Sequence, residues 1–144
     1  MTCTRIIHVS HNIFSSDNRD CGNHTRPCYS VTYALKMAGN DSGGTITLAM
    51  DCCYTFSVKE KISISIMDGS LELTSYCMDI ECYGRRQKPK IETVAGIRSA
   101  IFSFISSSSL KKKLDFKVSN LLFKVYFKHN IILYDLQQNG VINV

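Results

Sequence analysis

Beyond Gly44 the sequence is a succession of short alternating runs, with no second helical pattern of useful length among them. Thr45-Ile46-Thr47-Leu48, Ile62-Ser63-Ile64-Ser65-Ile66 and Leu71-Glu72-Leu73 alternate with the two-residue period of a strand. Residues 80–82, 90–94, 100–105, 114–118, 121–127, 131–134 and 141–144 continue the series, rich in β-branched or aromatic side chains and separated by polar, Gly or Asn residues. Short strands without helices usually suggest a sandwich or barrel. Here the apolar centres near Ile46, Ile64, Ile80, Ile101, Leu121 and Val141 recur about every 16 to 21 residues, the spacing of a coiled β-solenoid with one strand per face in each turn.

The chain before Gly44 reads differently. Residues 5–9 form a short strand pattern and residues 15–27 a polar loop. Val31, Ala34, Leu35 and Ala38 then fall at i, i+3, i+4 and i+7, giving a helix one apolar stripe. Ser30 or Cys28 stands near its N-cap, and Gly39 suits the left-handed position that ends a helix. Residues 40–44 (Asn-Asp-Ser-Gly-Gly) are a turn on composition.

The arrangement Cys21-Gly22, Pro27-Cys28-x-Ser30-Val31-x-x-Ala34-Leu35-x-x-Ala38, Gly44-x-Ile46-x-Leu48 and Tyr54 resembles the amino-terminal opening of extracellular right-handed parallel β-helix proteins of the pectin-lyase-like class. The resemblance covers roughly residue 10 to the C-terminus and is strongest over residues 21–54. It implies an all-β, right-handed parallel β-helix whose open end is plugged by one amphipathic helix. Residues 1–44 would be the strand, loop and capping helix, and residues 45–144 the coils. An uncapped apolar segment, Val141-Ile142-Asn143-Val144, makes a partial or truncated solenoid the expected form.

Seven cysteines (Cys3, Cys21, Cys28, Cys52, Cys53, Cys77 and Cys82) and two glycosylation sequons, at Asn23 and Asn40, favour an oxidising, secretory history. The opening residues carry no convincing signal peptide. No apolar run approaches the roughly 20 residues needed to cross a bilayer as a helix. An extracellular or cell-surface location is therefore the expectation, with oligomeric state left open.

The net charge of +5 is unevenly spread: residues 1–84 hold 6 Lys/Arg against 9 Asp/Glu, and residues 85–128 hold 11 against 2. Arg85, Arg86, Lys111, Lys112 and Lys113 are candidates for contact with an anionic ligand. The alternative is a solvated face with lysines guarding strand edges.

Cys21 and Cys28 enclose a short loop with two turn-formers, Gly22 and Pro27, and are the candidate disulfide, worth at most a few kcal/mol for so short a loop. A zinc site with His11 or His24 lacks paired C-x2-C spacing, and C-x6-C is not a redox dithiol. Cys52 and Cys53 are neighbours on a strand or turn where successive side chains point to opposite faces, so only one need pair. Cys77 or Cys82 could bridge to either, or all four could be small buried hydrophobes. His8 and His11, three apart on a strand-like segment, do not share a face. Asp68, Asp79 and Glu81 form no pair marked by spacing. No catalytic, cofactor-binding or metal-ligating set is assigned.

The function expected is a non-catalytic extracellular or cell-surface scaffold that binds carbohydrate or a cell-surface protein, with nucleic acid not expected as a partner. Two alternatives stand beside it: a piece of a polysaccharide lyase or glycoside hydrolase, and a fragment that does not fold stably alone.

Overall fold

The computed structural model describes residues 4–38, 44–58, 62–65, 69–93, 102–105, 112–124, 132–135 and 140–143. In chain order the elements are β1 (Thr4–Val9), α1 (Val31–Ala38), β2 (Gly44–Met50), β3 (Thr55–Val58), β4 (Ile62–Ser65) and β5 (Gly69–Ser75). They continue with α2 (Ile80–Gly84), β6 (Lys90–Thr93), β7 (Phe102–Ile105), β8 (Lys112–Val118), β9 (Leu122–Lys124), β10 (Ile132–Asp135) and β11 (Gly140–Asn143). The strands make three sheets, ordered β1-β2-β5-β8-β11, β10-β7-β4 and β3-β6-β9. Every strand pairing in them is parallel.

Register stacks like on like in the largest sheet. Ile7 stands opposite Leu48, Leu48 opposite Leu73, and Leu73 opposite Val118. Ile46, Leu71 and Phe116 form the neighbouring ladder. Except for the half-buried Val118, all of these side chains are buried. Each removes enough apolar surface from water to contribute about 1.5–3 kcal/mol. The alternating residues face outward, where Ser119 Oγ lies 3.1 Å from both Glu72 Oε1 and Thr74 Oγ1.

The apolar stripe Val31, Ala34, Leu35 and Ala38 is the buried face of α1, which lies against β1, β2 and β4. Ser30 Oγ accepts from Tyr33 N at 3.1 Å and caps the first turn. Asp17 Oδ1 accepts from the backbone N–H of both Tyr29 and Ser30 at 2.8 and 2.9 Å, fixing the approach to the helix.

The outer edge of β1 is occupied by the loop that Cys21 and Cys28 close. His8 N donates to Gly22 O, Cys28 N donates to His8 O, and Ser10 N donates to Cys28 O, at 2.6, 2.9 and 2.9 Å. Gly22 has a φ of 126°, a conformation that a side chain would strain.

These findings overturn the expected all-β, right-handed β-helix (solenoid) with one capping helix. Among the described residues, the fold combines three parallel sheets with two helices. Residues 80–82, expected as a strand, start α2, because Asp79 Oδ1 accepts the Glu81 N–H at 2.8 Å and caps a helical turn. The near-20-residue spacing was not the register either. Ile46 and Ile64 belong to different sheets, and the true neighbour of Ile46 is Leu71, whose own neighbour is Phe116.

Candidate functional site

The site grows from one buried carboxylate. Asp51, directly after β2, accepts from Ser10 Oγ at 2.7 Å through Oδ2 and from Cys53 N at 3.4 Å through Oδ1. Its own N–H donates to Val9 O, and its carbonyl accepts from Tyr54 N. These bonds hold a tight turn that carries Cys52 and Cys53. The chain leaving β5 comes alongside, since Tyr76 N donates to Met50 O at 2.9 Å. Cys52 is bonded to Cys77 and Cys53 to Cys82, with Cα–Cα distances of 4.9 and 5.6 Å. The expectation that only one of the adjacent cysteines need pair rested on side chains pointing to opposite faces; in this turn both sulfurs reach partners.

Beyond Cys82, α2 ends in a left-handed turn. Arg86 has a φ of 53°, its N–H donates to Tyr83 O, and Gln87 N donates to Cys82 O. Glycine is the usual occupant of such a position. The chain then returns to the sheets through Pro89: Lys90 N donates to Tyr54 O and Leu122 N to Pro89 O.

Two adjoining concavities open over this stapled corner. One, of about 430 Å³, is lined by Ser75, Cys77, Tyr83, Arg86, Lys88 and Asn120 among others. The second, of about 520 Å³, shares Arg86, Gln87 and Lys88 and adds Cys52, Cys53, Tyr54, Arg85 and Lys90. Among the described residues, four cations and no carboxylate line the pair. Arg85 reaches Glu81 Oε1 at 3.2 Å, an exposed i,i+4 pair of the weak surface kind. Burial pushes the Tyr54 phenol up, and the Asp51 and Asp79 carboxylates add to the effect, so its hydroxyl remains a donor at neutral pH. Asn120, also in the left-handed region at φ 57°, closes the far rim.

The structure brings together some of the residues singled out by sequence. Arg85 and Arg86 line the basic concavity, with Lys88 and Lys90, which the reading had passed over. The signal was the compact run Arg-Arg-Gln-Lys-Pro-Lys at residues 85–90. Lys112 and Lys113 begin β8, opposite Gly140 and Val141 of β11, whereas the concavity meets Asn120 past the other end of that strand. Lys111 and Asn40 lie outside the described residues. Cys21 and Cys28 are disulfide-bonded, with a Cα–Cα distance of 4.9 Å. Asn23 sits exposed on a turn, its Oδ1 accepting from Thr25 Oγ1 and Arg26 N at 2.7 and 2.8 Å.

A second polar cluster surrounds the histidines. His11 stacks on Tyr29 with ring centroids 4.2 Å apart and meets Phe56 edge-on at 4.6 Å. His8 packs edge-on against Tyr76 at 4.9 Å, and His24 lies 6.2 Å away. Burial lowers the affinity of both His8 and His11 for a proton; for His8 the neighbouring His24 adds to it.

No family model, curated protein or solved structure matches this chain. Among the described residues, no helix is long and apolar enough to cross a membrane.

Proposed function

We propose that the chain is a disulfide-stapled, non-catalytic extracellular or cell-surface module that binds an anionic polysaccharide in the basic concavity. One observation carries this reading: Arg85, Arg86, Lys88 and Lys90 line one concavity held by two disulfides, with Glu81 paired to Arg85 at its side. Arg86 is kept there at a positive φ where glycine would be free of strain. The open, shallow shape suits an extended chain of acidic sugars, which guanidinium groups recognise in bidentate fashion. Three disulfides and the exposed Asn23 sequon support an oxidising, secretory setting.

The test is retention on immobilised sulfated or uronate polysaccharide as salt is raised. Arg86→Ala with Lys88→Ala should elute earlier and flatten the plot of log affinity against log salt by about one to two. Arg19→Ala with Lys36→Ala removes equal charge from the basic hollow beside α1 and should leave both unchanged. Equal losses in the two variants would reduce the binding to net charge alone. Depolymerised product from the wild type that disappears in Arg86→Ala would replace the binding reading with an enzymatic one.

A further inference from the structure

We infer that Cys52, Cys53, Cys77 and Cys82 are also a metal site: on reduction their four thiols form one tetrathiolate centre for Zn²⁺. The sulfurs of Cys52, Cys53 and Cys82 all lie within 4.8 Å of one another. Cys77 lies outside that group of three, but its sulfur is bonded to that of Cys52 and is the nearest candidate for a fourth ligand. In a tetrahedral zinc thiolate, Zn–S bonds of about 2.3 Å place the sulfurs about 3.8 Å apart. The oxidised staple therefore already gathers three of the four sulfurs within reach of one ion, and on reduction the bonded pairs part towards that spacing. The turn at Cys52 and Cys53 is also held by hydrogen bonds of Asp51 with Ser10, Val9, Cys53 and Tyr54, apart from the disulfides.

Charge supports the same centre. Zn²⁺ with four thiolates carries a net charge of about −2, and Arg85, Arg86, Lys88 and Lys90 line the hollow that Cys52 and Cys53 share. Such cations favour thiolate over thiol. Access favours reduction here before Cys21–Cys28. Cys53, Cys77 and Cys82 are half-buried, whereas both sulfur-bearing residues of the other bridge are buried.

The chemistry balances. Each disulfide takes two electrons and two protons from a dithiol, which closes to its own disulfide, and yields two thiols. Zn²⁺ then replaces four thiol protons, which leave to water. The metal would replace the two covalent staples at the same corner. This inference does not rest on polysaccharide binding, and its readout is spectroscopic.

The test reduces the protein with a phosphine, which becomes its oxide with oxygen from water, removes the phosphine, and titrates Co²⁺ without air. The reduced wild type should develop the visible bands of tetrahedral cobalt with sulfur-to-cobalt charge transfer, saturating at one ion per chain and bleached by Zn²⁺. Cys82→Ala should weaken binding more than about 100-fold, beyond the effect of an outer-shell partner. Cys82→His, which keeps a ligand, should restore tetrahedral bands shifted by the nitrogen donor. Cys21→Ser with Cys28→Ser should bind as the wild type does. Octahedral cobalt alone in the reduced wild type would overturn the inference. So would tetrahedral bands unaltered in Cys53→Ala with Cys82→Ala, or equal loss in Cys82→His and Cys82→Ala.

Discussion

His11 lies flat against Tyr29 and edge-on to Phe56, where a charged imidazolium is poorly solvated. Burial lowers its proton affinity; the backbone of Tyr29 and the charges of Asp17 and Asp51 offset this only in part. His8, half-buried beside Tyr76 and close to His24, is shifted the same way. Because each folded-state value falls below the ordinary 6.5, the unfolded chain binds more protons in the window just beneath it. Stability is thus fully present above that value and declines as pH falls through the folded-state values. Thermal melts between about pH 7.5 and pH 5.5 should show this decline, and His11→Gln should flatten it. An unchanged slope in that variant would assign the acid sensitivity elsewhere. Neither ring contact was legible in sequence, since Tyr29, Tyr54 and Phe56 reach His11 only through the fold. Spacing placed His8 and His11 on different faces, and their rings sit in separate aromatic groups.

The two helices differ in how they are specified. The four apolar residues of α1 repeat at helical spacing, so its identity was readable from sequence. Short α2 buries no residue and has no stripe to read. Its local preference is set by the Asp79 cap, and the bond from Cys53 to Cys82 fastens it. Ile80 remains exposed, which explains why an apolar residue between polar neighbours resembled a strand centre. At the end of this helix, replacing Arg86 by glycine relieves about 1–2 kcal/mol of left-handed strain and adds about 0.5–1 kcal/mol of unfolded-state entropy. Arg86→Gly should therefore raise stability by up to about 1 kcal/mol in denaturant melts while lowering polysaccharide retention. Improved stability with undiminished retention would separate the strained arginine from the binding role.

Across the molecule, strand content was legible because alternation survives locally, but sheet membership was not. Ile46, Leu71 and Phe116 form one ladder at unequal sequence spacings, and nothing within each short run announces its partner. The bridges Cys52–Cys77 and Cys53–Cys82 close loops with sequence separations of 25 and 29, and these loops largely coincide. Either alone restricts the unfolded chain by about 3.5 kcal/mol in the chain-entropy account, but once the first is present the second closes only the short path through it and adds about 2 kcal/mol. Removing one bridge by a Cys→Ser pair should cost far less than removing both, which a double-mutant cycle of denaturant melts measures. Equal and additive losses would mean that the bridges act through native packing instead. The loop closed by Cys21 and Cys28 has a different role, because its carbonyls and amide occupy the groups that β1 would otherwise present along its free side. An unprotected parallel strand is a template for another chain. Cys21→Ser with Cys28→Ser should raise fibre formation under conditions where the wild type stays monomeric, followed by thioflavin fluorescence and light scattering; clear solutions from both proteins would reject this. The small loop then acts as a stopper, denying an incoming strand the backbone at His8 and Ser10 where that margin ends.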